Sequence, residues 1–324
     1  MLTRRSFAAA LPLLAACQNT PAAPTAPAWR QGPDAPYATQ EIYPALHRER
    51  VWIAGGFSPD ARGATERVIV FDPARESWAD GPALPAPAHH VHLAALDGDL
   101  YAIGGYLGGD TRMRWICTPR VLKLAGETWV EAPALPAPVG EAAPIVHDGR
   151  IHLIGGRAPR DAAANAAWED QADIADHFVF ANGAWARAAP LPMARNSAAG
   201  VSDGALLHVV SGRTVESGQT GAHHVYDPGA DRWSAAPDFP EPRGGLAAAF
   251  WRGRLVAGGG EIFEPPSVGT ALYAFNADGW RPFETLPVSR HGYGMISAGE
   301  ALLCVGGAQN VGGRGTLARL DILD

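Results

Sequence analysis

Residues 197–212, SAAGVSDGALLHVVSG, hold the pattern that decides the fold. A run of small residues leads to Asp203 and Gly204, and an apolar run then ends at Ser211 and Gly212. Two strand-like runs around an Asp-Gly turn predict a β-hairpin. Because the first run is small throughout, it is expected to be an inner strand, crowded against copies of itself.

The end of this hairpin returns along the chain with a nearly constant period. A glycine, or in one case a serine, followed by a second glycine ends an apolar run at Gly55, Gly104, Gly155, Ser211, Gly258 and Gly306. The steps between these positions are 49, 51, 56, 47 and 48 residues. Six tryptophans keep the same period, each shortly before a proline-rich turn: Trp29, Trp78, Trp129, Trp185, Trp233 and Trp280.

This pattern resembles the kelch repeat, which has a period near 50 residues. The resemblance covers Trp29 to the C-terminus and implies an all-β fold, a six-bladed kelch-type β-propeller with four strands in each blade. The chain begins with a fourth strand at Trp29 and stops after a third strand. The N-terminal strand is therefore expected to complete the last blade and close the ring.

The composition agrees with many short strands and tight turns. The 324 residues include 38 glycines and 28 prolines, and 47% of the residues are hydrophobic, so a large core can form. The net charge of -7 argues against a general nucleic-acid binder, which would carry a basic domain. A basic site in this chain has to be local.

The first 28 residues are expected to lie outside the propeller, which is assigned to residues 29–324. Arg4 and Arg5 followed by Phe7 resemble a twin-arginine export signal over residues 1–16. Residues 14–17 resemble a bacterial lipobox, which implies lipidation of Cys17, and residues 17–28 read as a Pro/Ala-rich tether. We therefore expect an exported lipoprotein, anchored at the periplasmic side or the cell surface. The alternative is an ordinary cleaved signal or a misread start.

Arginines follow the repeat in one half of the chain only. Arg195, Arg243 and Arg290 each lie three residues after a proline, whereas the same positions of the first three repeats hold none. Because strands alternate direction, the start of the first strand and the end of the second share one face. A cationic and an aromatic wall are therefore expected at the channel mouth: Arg157, Arg195, Asn196, Arg213, Arg243 and Arg290, and Phe57, Tyr106 and His89.

This arrangement predicts an anionic ligand, either an acidic sugar or the acidic loop of another protein. Guanidinium groups offer planar, paired donors that suit carboxylate, sulfate or phosphate. The alternative is structural: the arginines pair with Glu141, Glu261, Asp170 or backbone carbonyls and tie the blades together.

Neither a cofactor nor a metal is expected, and the protein is expected to be a monomer. His90 and His92 share one strand face and His89 lies on the other, so at most two of them converge. The long loop after the third glycine pair carries Trp168, which is either a stacking residue or lid, or part of a solvated acidic loop.

A second function remains open, because the repeat also resembles that of the N-acetylneuraminate epimerases. That resemblance implies a sugar mutarotase or epimerase, with Glu261 as base, His291 or Glu141 as acid, and Arg195, Arg243 and Arg290 as a carboxylate clamp. The chain departs from the expected Gly-Glu motif with a nearby arginine, since no arginine follows Glu261 before Arg281. Binding is therefore the preferred interpretation.

Overall fold

The computed structural model describes residues 27–108 and 115–324. The predicted export signal, Cys17 and most of the tether lie outside the described residues. Six antiparallel sheets follow one another along the described chain, five with four strands and one with a short fifth strand, so the all-β prediction is confirmed. We call each sheet a blade and number the blades in chain order. No helix in this part of the chain has the length and hydropathy needed to cross a membrane.

The first strand, β1 (Trp29–Gln31), belongs to the last blade. Blade 1 contains β2 (Ala45–His47), β3 (Arg50–Ala54), the short pair β4 (Phe57–Ser58) and β5 (Gly63–Ala64), β6 (Val68–Asp72) and β7 (Ser77–Gly81). Blade 2 contains β8 (Ala88–His89), β9 (His92–Leu96), β10 (Asp99–Ile103), β11 (Tyr106–Leu107), β12 (Ile116–Cys117), β13 (Val121–Ala125) and β14 (Thr128–Glu131). Blade 3 contains β15 (Ala143–His147), β16 (Arg150–Ile154), β17 (Arg157–Pro159), a 3-10 turn (Trp168–Asp170), β18 (Gln171–Asp173), β19 (His177–Ala181) and β20 (Ala184–Arg187).

The last three blades follow the same plan. Blade 4 contains β21 (Ala199–Ser202), β22 (Leu207–Val210), β23 (Arg213–Thr214), β24 (Gly218–Gln219), β25 (His223–Asp227) and β26 (Arg232–Ala236). Blade 5 contains β27 (Gly244–Trp251), β28 (Arg254–Ile262), β29 (Ser267–Val268), β30 (Ala271–Asn276) and β31 (Gly279–Thr285). Blade 6 contains β32 (Gly294–Ala298), β33 (Ala301–Val305) and β34 (Leu320–Leu323), together with β1.

The N-terminal strand closes the ring, as the sequence predicts. Trp29 lies opposite Leu323 and Gln31 opposite Asp321, so β1 is the outer strand of blade 6. The inner strands β2, β9, β15, β21, β27 and β32 pack side by side in chain order, and β32 also packs against β2. Blade 6 therefore has a complete set of four strands, with its outer strand supplied by the N-terminal segment.

The hydrophobic core lies between neighbouring blades. Its clusters combine residues of two adjacent sheets, as where Ile53 and Phe71 of blade 1 meet Leu303 and Ile322 of blade 6. Five of the repeated tryptophans also donate their indole N–H to a carbonyl of the preceding repeat: Trp78 to Pro33, Trp129 to Pro82, Trp185 to Pro133, Trp233 to Ala189 and Trp280 to Pro237. The periodic tryptophan is thus a linker between blades.

The two faces of the ring differ in the connections they carry. We call upper the face on which the chain enters each inner strand and leaves the second strand at the glycine pair. The lower face carries the turns of the inner hairpins, such as Asp203 and Gly204 in blade 4. The chain enters β1 from the lower face, because strand direction alternates from the inner to the outer strand of a blade.

Candidate functional site

A ring of six residues, one from each blade, encircles the upper end of the channel. Each is the fifth residue after the proline that precedes an inner strand, and each has a left-handed φ between 50° and 66°. We call this set the inner ring: Glu41, His90, Glu141, Ser197, Gly245 and Gly292. The chain turns sharply here before it descends into the inner strand.

Hydrogen bonds join neighbouring members of the inner ring. In five links the amide of one member donates to the carbonyl of the member in the preceding blade, at 2.6 to 3.0 Å, with Glu41 to Gly292 the shortest at 2.6 Å. Between blades 2 and 3 the Ala142 amide donates to His92 Nε2 at 3.1 Å. The ring fixes where its side chains point.

The two residue sets predicted to meet at the channel mouth do pair across the strands. In each blade the fourth residue after the proline forms an antiparallel bridge with the residue after the glycine pair: Gln40 with Phe57, His89 with Tyr106, Gly140 with Arg157, Asn196 with Arg213, Gly244 with Glu261, and His291 with Ala308. The period therefore assembles one pair per blade around the channel.

Arg213 connects two carboxylates across the mouth. Its Nη1 donates to Glu261 Oε1 at 2.9 Å and its Nη2 to Glu141 Oε2 at 3.4 Å, while Nε donates to Asn196 Oδ1 at 3.1 Å. Burial opposes the charged form, but Glu141 and Glu261 outweigh it and raise the pKa of Arg213. Phe263 covers the guanidinium, with the ring centre 4.7 Å from the guanidinium carbon. The donors of Arg213 are therefore already engaged.

Glu141 lies at the centre of this network with no exposure to solvent. It accepts hydrogen bonds from Ser197 Oγ at 2.7 Å and Tyr106 Oη at 3.2 Å, and Arg157 Nη1 lies 3.6 Å away. Burial alone would raise its pKa, but His90, Arg213 and Arg157 lower it to about 2. Glu141 is thus a carboxylate that stays ionised at neutral pH.

Glu41 sits between two imidazoles and faces the channel. Its Oε2 lies 3.0 Å from His90 Nε2, and its Oε1 lies 3.5 Å from His291 Nδ1. Burial would raise the pKa of Glu41, but His90 and His291 hold it well below its ordinary value. His291 is also buried, which would lower its pKa, but Glu41 and Glu261 raise it. His291 Nε2 lies 3.4 Å from Glu261, which completes a chain of alternating charge.

We call these seven residues the mouth cluster: Glu41, His90, Glu141, Arg157, Arg213, Glu261 and His291. Three carboxylates lie among two guanidinium groups and two imidazoles, and each carboxylate has a basic side chain within 3.4 Å. Burying this many charged groups is costly unless each is paired.

Arg157 is covered by the long loop of blade 3. Its Nη2 donates to the carbonyls of Trp168 at 2.9 Å and Gln171 at 3.1 Å, and the Trp168 ring stacks on the guanidinium at 3.8 Å. Trp168 therefore lies over Arg157. The side chain of Arg157 is fully buried beneath it.

An aromatic group occupies the side of the mouth formed by blades 1 and 2. His89 stacks between Phe57, at 4.0 Å, and Tyr106, at 5.1 Å between ring centres. Trp115 meets His89 edge-on at 4.7 Å and also contacts Tyr106 and His90. Phe57, Tyr106 and His89 are thus together, as predicted, but Phe57 is only 7% exposed and the other two are fully buried.

Arg195 and Arg290 do not face the mouth. Arg195 donates to the carbonyls of Ser211 and Val209 within its own blade, and burial lowers its pKa to about 10. Arg290 pairs with Asp321 and donates to the Cys304 carbonyl at 3.2 Å. Neighbouring strand residues point to opposite sides, so Asn196 and His291 take the mouth and the arginines before them turn into the blade.

Arg243 lies at the edge of the upper face. Its Nε donates to Glu241 Oε2 at 3.2 Å and its Nη1 to Ser267 Oγ at 3.3 Å. The expected half-ring of five arginines open to a ligand is therefore not what the structure shows. Two arginines lie in the mouth cluster, two hold carbonyls inside blades, and Arg243 sits at the periphery. This is the structural alternative stated above.

The cavities at the mouth differ in size from those at the rim. The channel cavity beside Glu41, Tyr43 and Ser197 measures about 100 Å³, well below the ~300 Å³ at which small-molecule sites begin. Between the loops of blades 3 and 4 lies a hollow of about 480 Å³, and between blades 5 and 6 one of about 320 Å³. Space for a ligand therefore lies at the rim of the upper face.

Sequence reasoning missed three contributors to the mouth: Glu41, Ser197 and Trp115. A signal was present for the first two, because they are the fifth residue after the proline, in register with Glu141. Trp115 departs from the tryptophan period and reaches the mouth through the connection in blade 2. In the part of the chain that the structure describes, no three His, Cys, Asp or Glu side chains are grouped to hold a metal.

Comparisons with known proteins agree with this architecture. No family model matches the chain. The chain is 25% identical to Kelch-like protein terF of Aspergillus terreus over 70% of its length and 62% of that protein, and 23% identical to mouse Kelch-like protein 40 over 75% of its length and 38% of that protein. It therefore spans less than two thirds of either relative.

The solved structure of YjhT covers 88% of this chain and 94% of its own, with a TM-score of 0.73 at 18% identity. The glycine and tryptophan period, the blades and the kelch-like relatives agree with this likeness of fold. The chain is a kelch-type β-propeller.

Proposed function

We propose that this protein is a binding propeller whose upper face takes a protein partner. The observation that carries the proposal is that both guanidinium groups of the mouth cluster lie within 3.6 Å of a carboxylate and are covered by an aromatic ring, Trp168 over Arg157 and Phe263 over Arg213. A site of this kind offers a rigid floor beneath a contact surface, because buried and paired charges resist rearrangement.

Two exposed apolar side chains on the upper face fit such a surface. Phe263 is 42% exposed above Arg213, and Met193 is 40% exposed beside the hollow between blades 3 and 4. Aromatic residues, methionine and arginine are enriched in the centres of protein interfaces. The partner is expected to place apolar side chains on these two residues.

The chain offers a matched pair of variants to test this face. Phe263 on the upper face and Phe250 on the lower face are both phenylalanines with similar exposure, 42% and 38%. Phe263→Ser is expected to abolish capture of the partner in chemical cross-linking from an envelope fraction, whereas Phe250→Ser retains it. Equal capture by both variants would contradict the proposal.

The finer form of the proposal is an acidic partner, either an acidic loop or an acidic glycan. Each rim hollow is bordered by one exposed arginine, Arg160 in the larger hollow and Arg314 in the smaller. Exposed guanidinium groups remain available for a carboxylate, unlike those of the mouth cluster. Sialic and uronic acids are expected to raise the melting temperature, and Arg160→Ala or Arg314→Ala to remove that rise. No response in the parent would eliminate the acidic form while leaving the protein partner open.

A second candidate is the sugar isomerase, favoured by one observation: Glu41 and His291 face each other at the channel. The pKa of Glu141, about 2, leaves it unable to donate a proton near neutral pH, so it does not fit the role of acid. His291, with its raised pKa, is the better acid. NMR of anomer exchange in N-acetylneuraminate tests this candidate: acceleration by the protein that is lost in His291→Gln supports it, and an unchanged rate ends it.

We also propose export and lipid anchoring through Cys17. The support is the sequence of residues 1–17, with two arginines followed by Phe7 and a lipobox-like run that ends at Cys17. Cys17→Ala is expected to move the protein from the membrane fraction to the soluble fraction. Unchanged fractionation would rule out the lipobox interpretation.

A further inference from the structure

The lower mouth of the channel alternates between large and small side chains. The six residues in register at the end of the inner strands are Leu46, Ala95, Val146, Ser202, Phe250 and Ser297. The large apolar ones belong to blades 1, 3 and 5 and are exposed, at 39% for Leu46, 41% for Val146 and 38% for Phe250. Blades 2, 4 and 6 carry alanine or serine. The backbone of the ring thus repeats six times, whereas the pattern of large and small side chains repeats three times.

Charge alternates in the same way at the hairpin turns around this mouth. Blades 1, 3 and 5 each begin their second strand with an exposed arginine, at Arg50, Arg150 and Arg254. The turns of blades 2, 4 and 6 carry only acidic charge: Asp97 and Asp99, Asp203, and Glu300. Glu49 lies between Arg48 and Arg50 in blade 1, and Asp148 lies two residues before Arg150 in blade 3, so the turn of blade 5 is the most basic. Odd blades therefore carry a large apolar side chain and arginine at the turn, and even blades carry a small side chain and an acidic turn.

We propose that the lower face binds a second copy of this chain, face to face, about a twofold axis that lies in the interface. Such an axis reverses the order of the blades in the partner copy, so odd blades can be set against even blades all round the ring. Large side chains then meet small ones and arginines meet carboxylates. This surface is complementary to itself, and it replaces the expectation of a monomer.

One register gives the best match of charge. It sets blade 5 against blade 2, blade 1 against blade 6, and blade 3 against blade 4. Blade 5 has Arg252 and Arg254 at its turn with no acid, and blade 2 has Asp97 and Asp99 at its turn, of which Asp99 already pairs with Lys123 at 3.1 Å. Within one chain, Arg252 already reaches Glu300 of the neighbouring blade at 3.1 Å. Odd and even turns are thus within reach of one another.

The pattern favours a second copy over a lipid surface as the occupant. An anionic bilayer attracts a face that is basic throughout, whereas acidic turns alternate with the basic ones here. An apolar centre with a polar rim is the anatomy of a protein interface. The hollow of about 350 Å³ at this mouth, lined by Leu46, Val146 and Ile296, gives the apolar side chains room to interdigitate.

Sedimentation velocity of the full chain with Cys17→Ala, so that lipid cannot drive association, tests the proposal. A dimer is expected. Phe250→Ser is expected to weaken it about tenfold or more, since the symmetric interface loses the side chain twice. Phe263→Ser on the upper face serves as the matched control and leaves the dimer unchanged. A monomer at every concentration, or a dimer indifferent to Phe250→Ser, would overturn the proposal, including the case in which the monomer binds vesicles.

A charge exchange tests the register. Asp97 and Arg252 occupy equivalent turn positions, both with left-handed φ, at 51° and 46°, so each backbone site accepts the other residue. Asp97→Arg and Arg252→Asp are each expected to weaken the dimer, and the double variant to restore it. Far-UV circular dichroism confirms that the variants fold. Single variants that weaken the dimer without recovery in the double variant would overturn the pairing of blade 2 with blade 5.

Discussion

The two mouths of the channel are built from the same repeat, but charged side chains are buried at the upper mouth and side chains are exposed to solvent at the lower mouth. At the upper mouth, Glu141 and Arg213 are buried and pair with one another at 3.4 Å. At the lower mouth, Val146 and Arg150 are exposed to solvent. Buried charge requires a specific partner at each position, which breaks the symmetry of the ring. Exposed side chains carry no such requirement, so a regular alternation can persist.

The largest effect expected is loss of stability in acid. It tests how much of the stability depends on histidines that are buried in their neutral form. Burial lowers the pKa of His92 and His177 to about 4 and of His152 and His223 to about 3, from 6.5. These groups bind fewer protons folded than unfolded, so their stabilisation is full above pH 6.5 and declines as the pH falls toward 4.

In the mouth cluster, His291 makes the free energy of unfolding depend on pH in the opposite direction. The pKa of His291 is raised, so its stabilisation is full below 6.5 and is lost as the pH rises through the folded value. Melting temperature measured across this range is expected to drop steeply between pH 6.5 and 4. A flat profile over that window would contradict the burial of neutral histidines.

The next effect compares one arginine from each end. Arg290→Ala leaves Asp321 buried with only Arg319 beside it, and is expected to cost about 3 kcal/mol. Arg254→Ala removes an exposed arginine at the lower end and is expected to change stability by less than about 0.5 kcal/mol. Urea unfolding of both variants measures the difference, and equal values would remove the contrast between the two ends.

A smaller effect is expected for the carboxylate that faces the channel. Glu41→Gln removes the charge that raises the pKa of His291, so that pKa is expected to fall and stability to decrease by about 1.5 kcal/mol. Titration of the His291 ring signals by NMR measures the shift. Glu300→Gln, on an 87% exposed side chain of the lower face, is the control and should leave the signals in place. A His291 pKa unchanged in Glu41→Gln would show that Glu41 does not govern it.

The smallest effect expected is a difference between alanine substitutions at two glycines of the inner ring. A Cβ at Gly292 would lie 2.7 Å from the Glu41 carboxylate, whereas one at Gly245 would meet nothing closer than 3.4 Å. Both have left-handed φ, so Ala adds the same strain of about 1 kcal/mol at each. Only Gly292→Ala is expected to displace Glu41 and alter the His291 titration as well. The same titration in both variants would mean that the cluster tolerates the displacement.

The period of the sequence predicted the fold well because each blade makes the same contacts with its neighbours and therefore needs the same residue types at the same positions. The glycine pairs mark where the second strand meets the upper face, and the tryptophans mark the contact with the preceding blade. The pairing of Asn196 with Arg213 also followed from the period. Position within the repeat was therefore readable from the sequence, down to which residues meet across two strands.

Orientation was not readable in the same way. Arg195 and Asn196 are neighbours, yet one holds carbonyls inside blade 4 and the other joins the mouth. The inner ring lies one residue later, and its left-handed turn interrupts the strand alternation on which such assignments depend. The arginine period thus predicted an open cationic wall where the structure has paired and buried groups.

The sequence by itself determined the all-β class, the repeat, the closure by β1 and which residues pair across the strands at the upper mouth, because these follow from local spacing and turn chemistry. The tertiary structure alone decided which charges pair, since Glu41, Glu141 and Glu261 come from different blades and meet only when the ring closes. Pairing depends on distance and burial across the channel, and neither is encoded in the spacing of one repeat.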